Sequence, residues 1–300
     1  MSAPAGRGAV EAGAVVGAAL AAVLLIPAPG PGSTAARGPV PAPAPPDTVV
    51  LTEGARSPDV SVDGVVAFSL LGDLWTVPLD APGTARRVTA TESRDGDPAW
   101  GPEGRSLYFA SERRGRVDLW RMERRDDGSF GEPERVTETP DRDEREPAVG
   151  ADGTVAFRSG TGRQSDLWLR TPDGDERRLT DGAGGDRSPA FSPDGSRLVY
   201  VATRADGRSL RLLDLAESEA APETVLEEPR AAHPAWSPDG TLIAYASAEA
   251  PGEVGLTDPE GSFTNRVTGA RAHPSWAPDG ESLVAAELPR PGPRYNGDPD

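Results

Sequence analysis

The 300-residue chain has no cysteine, two histidines and only 5% aromatic residues. Every one of its 31 basic residues is arginine, so lysine is absent too. Without cysteine there can be no disulfide, thiol nucleophile, thiolate metal centre or cysteine-linked lipid. Without lysine, Schiff-base and lysine-nucleophile chemistry are excluded. Positive charge is also scarce. Acids number 48 and the net charge is -17, which repels polyanions and argues against a nucleic-acid partner. No Gly-x-Ser-x-Gly, His-Glu-x-x-His or phosphate-binding Gly-rich loop occurs. What the chain does have is 35 glycines, 32 prolines and six tryptophans.

The N-terminal part is expected to lie outside the fold. Ala12 to Ile26 is an apolar run behind Arg7, closed by Pro27 and followed by the small residues Ser33-Thr34-Ala35. It is too short for a comfortable membrane span of about 20 residues. Residues 1–36 therefore read as a secretory signal peptide, with an uncleaved anchor as the alternative. Residues 37–47 continue a Pro-rich stretch suited to an extended tether. The expected location is secreted or cell-envelope, with any membrane contact made only through the leader.

From residue 48 to 300 one repeat recurs. Pro58, Pro98, Pro147, Pro189, Pro234 and Pro274 each open a segment of the type Pro-Ala-Trp-Ser-Pro-Asp-Gly. The spacings are 40, 49, 42, 45 and 40 residues, the period of a four-stranded propeller blade. The apolar runs are short and bounded by Gly, Pro and Asp, which reads as strands rather than helices. Each Pro-Asp-Gly is a turn, with Pro setting φ, Asp bonding its own backbone and Gly taking a positive φ. Third strands carry Asp-Leu-Trp at Asp73, Asp118 and Asp166. Fourth strands end in Arg-Val-Thr-like segments at Arg87, Arg135, Arg178 and Arg266. Val49-Val50-Leu51-Thr52 has the same ending with no blade ahead of it. The expected fold is thus all-β, a six-bladed β-propeller closed by this N-terminal strand. The last blade is incomplete, since no third strand is evident after Leu288.

The repeat resembles the TolB-type, WD-like β-propeller repeat over about 250 residues. Val60 and Val149 depart from it by replacing the aromatic, and Glu103 by replacing the aspartate of the second turn. TolB carries an α/β domain before its propeller, where this chain has only the Pro-rich stretch. Val65 to Leu79, with Arg294-Tyr295 near the end, is similar to the propeller that precedes an amidohydrolase domain in exported proteins. Tricorn-type and prolyl-oligopeptidase-type enzymes use similar propellers. In all of these the resemblance implies catalytic residues outside the propeller, and so none within this sequence.

Two sets of residues invite a functional reading. The acids of the Pro-Asp-Gly turns and of Asp-Leu-Trp could suggest metal carboxylates, but each has its own repeat position and a structural role. The residue before each opening proline is polar in all six repeats: Ser57, Asp97, Glu146, Ser188, His233 and His273. Innermost strands line a propeller's channel, so these six should form a ring near one mouth. The ring is either a solvated rim or a site for a small ligand, a peptide terminus or a metal, since imidazoles and carboxylates suit divalent ions. A residue before proline needs only an extended backbone. No cofactor is expected.

The function expected is an exported, non-catalytic binding, scaffold or substrate-gating module. Its partner would be a protein, a peptide or a C-terminal catalytic domain. In the leading form it is the N-terminal part of a longer, amidohydrolase-like hydrolase. The alternatives are a free-standing TolB-like protein-interaction module of the cell envelope, and a hydrolase or lyase acting in the channel.

Overall fold

The computed structural model describes residues 26–27, 54–161, 164–216, 222–227, 231–247, 253–262, 264–268 and 272–286. The leader and tether expected over residues 1–47 therefore lie outside them, apart from strand β1 (Ile26–Pro27). No helix among the described residues is long and apolar enough to cross a membrane.

The repeats fold as successive antiparallel units. The first comprises β2 (Arg56–Val60), β3 (Val65–Leu70), β4 (Asp73–Pro78) and β5 (Arg86–Arg87). The second has β6 (Asp95–Trp100), β7 (Ser106–Ser111), β8 (Asp118–Glu123) and β9 (Glu134–Arg135). The third has β10 (Asp143–Val149), β11 (Val155–Thr161), β12 (Gln164–Arg170) and β13 (Glu176–Arg178). The fourth has β14 (Gly185–Phe191), β15 (Arg197–Arg204), β16 (Gly207–Asp214) and β17 (Glu223–Leu226). The fifth has β18 (Ala232–Trp236), β19 (Ile243–Ser247), β20 (Glu253–Thr257) and β21 (Thr264–Thr268). The sixth supplies β22 (Ala272–Trp276) and β23 (Ser282–Ala286).

The turn between a unit's first two strands follows from its sequence. In the fifth unit Ser237 Oγ donates to Asp239 Oδ1 at 2.6 Å. Asp239 Oδ1 accepts from the Thr241 N–H at 3.0 Å, and the Leu242 N–H donates to Ser237 Oγ at 2.9 Å. Gly240 has φ +72, which glycine adopts without a steric penalty. A second clasp joins third and fourth strands. Asp73, Asp118 and Asp166 pair with Arg87, Arg135 and Arg178 at 2.6, 2.9 and 2.7 Å. The threonines of the Arg-Val-Thr segments, Thr89, Thr137 and Thr180, each accept the N–H of the leucine in Asp-Leu-Trp at 3.0 Å. Asp239 and the strand acids Asp73, Asp118 and Asp166 are thus committed to local structure, and Asp63 of the first turn pairs with Arg124 of the second unit at 2.8 Å.

Apolar clusters fill the joints between units. Trp100 packs with Ala67 and Leu74 of the first unit and Phe109 of its own. Val149, Phe191, Trp236 and Trp276 take the same repeat position at the next joints. At the sixth joint, Val284 of β23 packs with Val66, Phe68 and Val77 of the first unit, with Val60 against them. The first strands accordingly contact one another in the order β2, β6, β10, β14, β18, β22 and back to β2.

The strands do not form the expected closed six-bladed propeller sealed by an N-terminal strand. Hydrogen bonding divides the described strands into five sheets, and none closes on itself. The third and fourth units share one eight-stranded sheet through a parallel pairing of Ser165 with Gly185. The free edge of β23 pairs with β1, Ile26 opposite Leu283, and the proposed sealing strand at 49–52 lies outside the described residues. The first and sixth units meet by side-chain packing rather than by a hydrogen-bonded ladder. A joint of that kind leaves no periodic signature in sequence beyond its apolar residues.

Candidate functional site

Each first strand carries a β-bulge at its polar-Pro dipeptide. Pairing shifts between Arg56 and Asp59, Gly96 and Ala99, Arg145 and Ala148, Arg187 and Ala190, Ala232 and Ala235, and Ala272 and Ser275. At each bulge the residue before proline is left-handed: Ser57, Asp97, Glu146, Ser188, His233 and His273 have φ between 48 and 54. This differs from the extended backbone expected before proline. Proline withholds an N–H from the ladder, and the bulge absorbs the missing bond. Left-handed conformations of non-glycine residues cost on the order of 1–3 kcal/mol each, so repeating the strain at six equivalent positions makes it part of the fold.

These bulges surround a cavity of about 610 Å³. All six polar residues line it, followed along the strands by the six opening prolines. Below the prolines lie Asp59, Ala99, Ala148, Ala190, Ala235 and Ser275. The turn residues Val62, Pro193, Pro238 and Pro278 line the cavity at the other end of the strands.

The polar residues meet in neighbouring pairs. Ser57 Oγ donates to Asp97 Oδ1 at 3.2 Å. The Ser188 N–H and Oγ donate to Glu146 Oε2 at 2.6 and 3.1 Å, and Arg158 approaches Glu146 Oε1 at 3.4 Å. His233 and His273 stack with ring centroids 3.5 Å apart. Burial, with the charge of Glu146, raises the Asp97 pKa. Burial, aided by Arg187 and Arg208, lowers His233 to about 4. Burial, aided by His233, lowers His273 to about 3, so both imidazoles are neutral at pH 7. The mouth thus carries carboxylates from the second and third units and neutral imidazoles from the fifth and sixth, with Arg158 at Glu146 and the charges of Arg187 and Arg208 acting on His233. Among the described residues no group of three or more His, Cys, Asp or Glu is placed to hold a metal ion.

Asp59 also lines the cavity, a position the pattern of polar residues before proline does not include. Its signal is visible in the repeat: five units have Ala or Ser where the first has Asp. Asp59 Oδ2 accepts the Trp100 N–H at 2.7 Å. Ser275 Oγ accepts the Val60 N–H at 3.2 Å, bonding the sixth unit to the first. Burial pushes the Asp59 carboxyl up to about 6, against hydrogen bonds from Trp100, Val60 and Ser275.

No family model matches the chain. It is 32% identical over 141 residues to an uncharacterised protein of Agrobacterium fabrum, covering 43% of this chain and 46% of that protein. It is also 32% identical over 139 residues to a TolB homolog of Chlorobium luteolum, covering 46% of this chain and 30% of that protein. The chain thus spans less than half the length of these curated relatives. Among solved structures it is similar to a TolB from Agrobacterium tumefaciens, with TM-score 0.66 and 20% identity. That likeness covers 79% of this chain and 91% of the other, and establishes the fold alone.

Proposed function

We propose that this chain is a non-catalytic, extracytoplasmic protein-interaction module of the TolB kind, and that it receives a segment of its partner at the polar mouth of the cavity. One observation carries the reading: six strained bulges place Ser57, Asp97, Glu146, Ser188, His233 and His273 together around a cavity of about 610 Å³. That volume falls within the usual range of ligand pockets. The sequence similarity to a TolB homolog supports a free-standing module over an accessory domain of a hydrolase. The mouth gathers polar groups that complete neither a turn nor a ladder.

The test is capture of envelope proteins on the immobilised chain. A partner should be retained by the wild type and lost from a Glu146→Gln, His233→Ala double variant of unchanged melting temperature. Equal retention by both would remove the mouth from the interaction.

A further inference from the structure

We infer that Asp59 makes the cavity a receiver for a primary ammonium group on a slender apolar stem, as found at the end of a lysine side chain or an alkylamine. The inference rests on the cavity being the binding site proposed above, and adds the chemistry it selects. At the level of Asp59 the wall is otherwise Ala99, Ala148, Ala190, Ala235 and Ser275, beneath a ring of prolines that offer no N–H donors. A cation entering such a channel loses hydration, and a carboxylate at the same depth is what offsets that loss. The apolar wall suits methylene groups behind the charge.

The hydrogen bonds of Asp59 choose between cations. Oδ2 is already held by the Trp100 backbone N–H at 2.7 Å, while the neighbouring Val60 N–H is taken by Ser275 Oγ, which leaves Oδ1 to meet a cation. A guanidinium fork wants both oxygens of a carboxylate in one plane, whereas an ammonium can use a single remaining lone pair. The 300 residues hold no lysine, so no side chain among them offers that ammonium. Its net charge of -17 favours the approach of cations.

Calorimetric titration of the full chain with hexylammonium chloride tests this. Binding is expected, weakened at least tenfold by Asp59→Asn, which keeps an acceptor for the Trp100 N–H. Asp194→Asn removes an equal charge from an exposed turn and should leave the affinity unchanged. Should Asp59→Asn fail to fold, Ala190→Arg, which sets a fixed cation at the same depth and leaves Asp59 and its Trp100 bond in place, should abolish hexylammonium binding, and unchanged binding would overturn the site. N-acetyl-lysine amide measures the side-chain source, hexylammonium the free amine, and binding of either supports the site. Tighter binding of N-acetyl-arginine amide, or hexylammonium binding indifferent to Asp59→Asn, would overturn it. A partner lost with the mouth variants but unaffected by Asp59→Asn overturns the ammonium site and leaves the interaction role intact. Hexylammonium binding that needs Asp59, with partner capture indifferent to the mouth, does the reverse.

Discussion

His233 and His273 lie face to face at the cavity mouth, and burial keeps both unprotonated well below their ordinary pKa of 6.5. Arg187 and Arg208 act with burial on His233, while Arg56 lowers and Glu146 raises His273. In the unfolded chain both take up protons as pH falls below about 6.5, but in the folded chain only near 4 and 3. The unfolded state thus binds more protons between these limits, and the histidines withdraw stability as pH falls. Asp59 works in the opposite direction, because its raised pKa lets the folded state bind a proton between about 6 and 3.8. The comparison with His273→Gln isolates the histidine contribution. Urea unfolding at pH 7 and pH 4.5 should show the wild type losing more stability than this variant on acidification. Gly255 makes a second residue-level case. An added Cβ would fall 2.1 Å from Tyr245 Cζ, in a ring that is itself buried. Gly255→Ala should destabilise by about 1–3 kcal/mol or more through overpacking, read as a lower urea midpoint. The close approach of a glycine to an aromatic on the paired strand is invisible in a repeat alignment, because it depends on the register of Tyr245 opposite Gly255.

Strand pairs are held by the same clasp in three units, and this was partly legible. The recurrence of Asp-Leu-Trp and Arg-Val-Thr marked two strands with fixed roles. It did not disclose that Asp pairs with Arg and Thr caps Leu, since only the fold brings together residues 12 to 18 apart. Thr137→Val would leave the buried Leu119 N–H without its acceptor. Such a loss costs about 1–3 kcal/mol, so the midpoint of urea unfolding should fall accordingly. The polar-Pro dipeptides show the opposite limit. Local preference before proline points to extended backbone. The ladder bond that proline cannot make, together with the curvature of each first strand, yields a bulge with left-handed φ instead.

At the scale of the whole molecule, the joint between the sixth and first units brings together the two ends of the repeat series. There Val284 packs with Phe68, and Ser275 accepts the Val60 N–H across the boundary. Phe68→Ala should cost about 3–5 kcal/mol, as for other buried phenylalanines. It should also speed hydrogen exchange in β2 and β22 more than in β10 and β14, which lie away from this joint. Uniform exchange would mean that the joint is no weaker than the rest. The repeat period, the turn chemistry, the all-β class and the positions of the joint-filling aromatics were determined by the sequence alone, because each depends on residues close together or repeated in register. Three things were decided only by tertiary structure. The units meet without a closed sheet, because the edge of β23 takes Ile26–Pro27 and the first and sixth units join through side chains, by packing and by the Ser275 hydrogen bond. The six polar residues are grouped as hydrogen-bonded and stacked pairs, because bulges turn them toward neighbours about one repeat away. Asp59 becomes a half-buried carboxyl at a depth of the cavity where the other units supply Ala or Ser, because burial depends on what surrounds a residue and not on the residue itself.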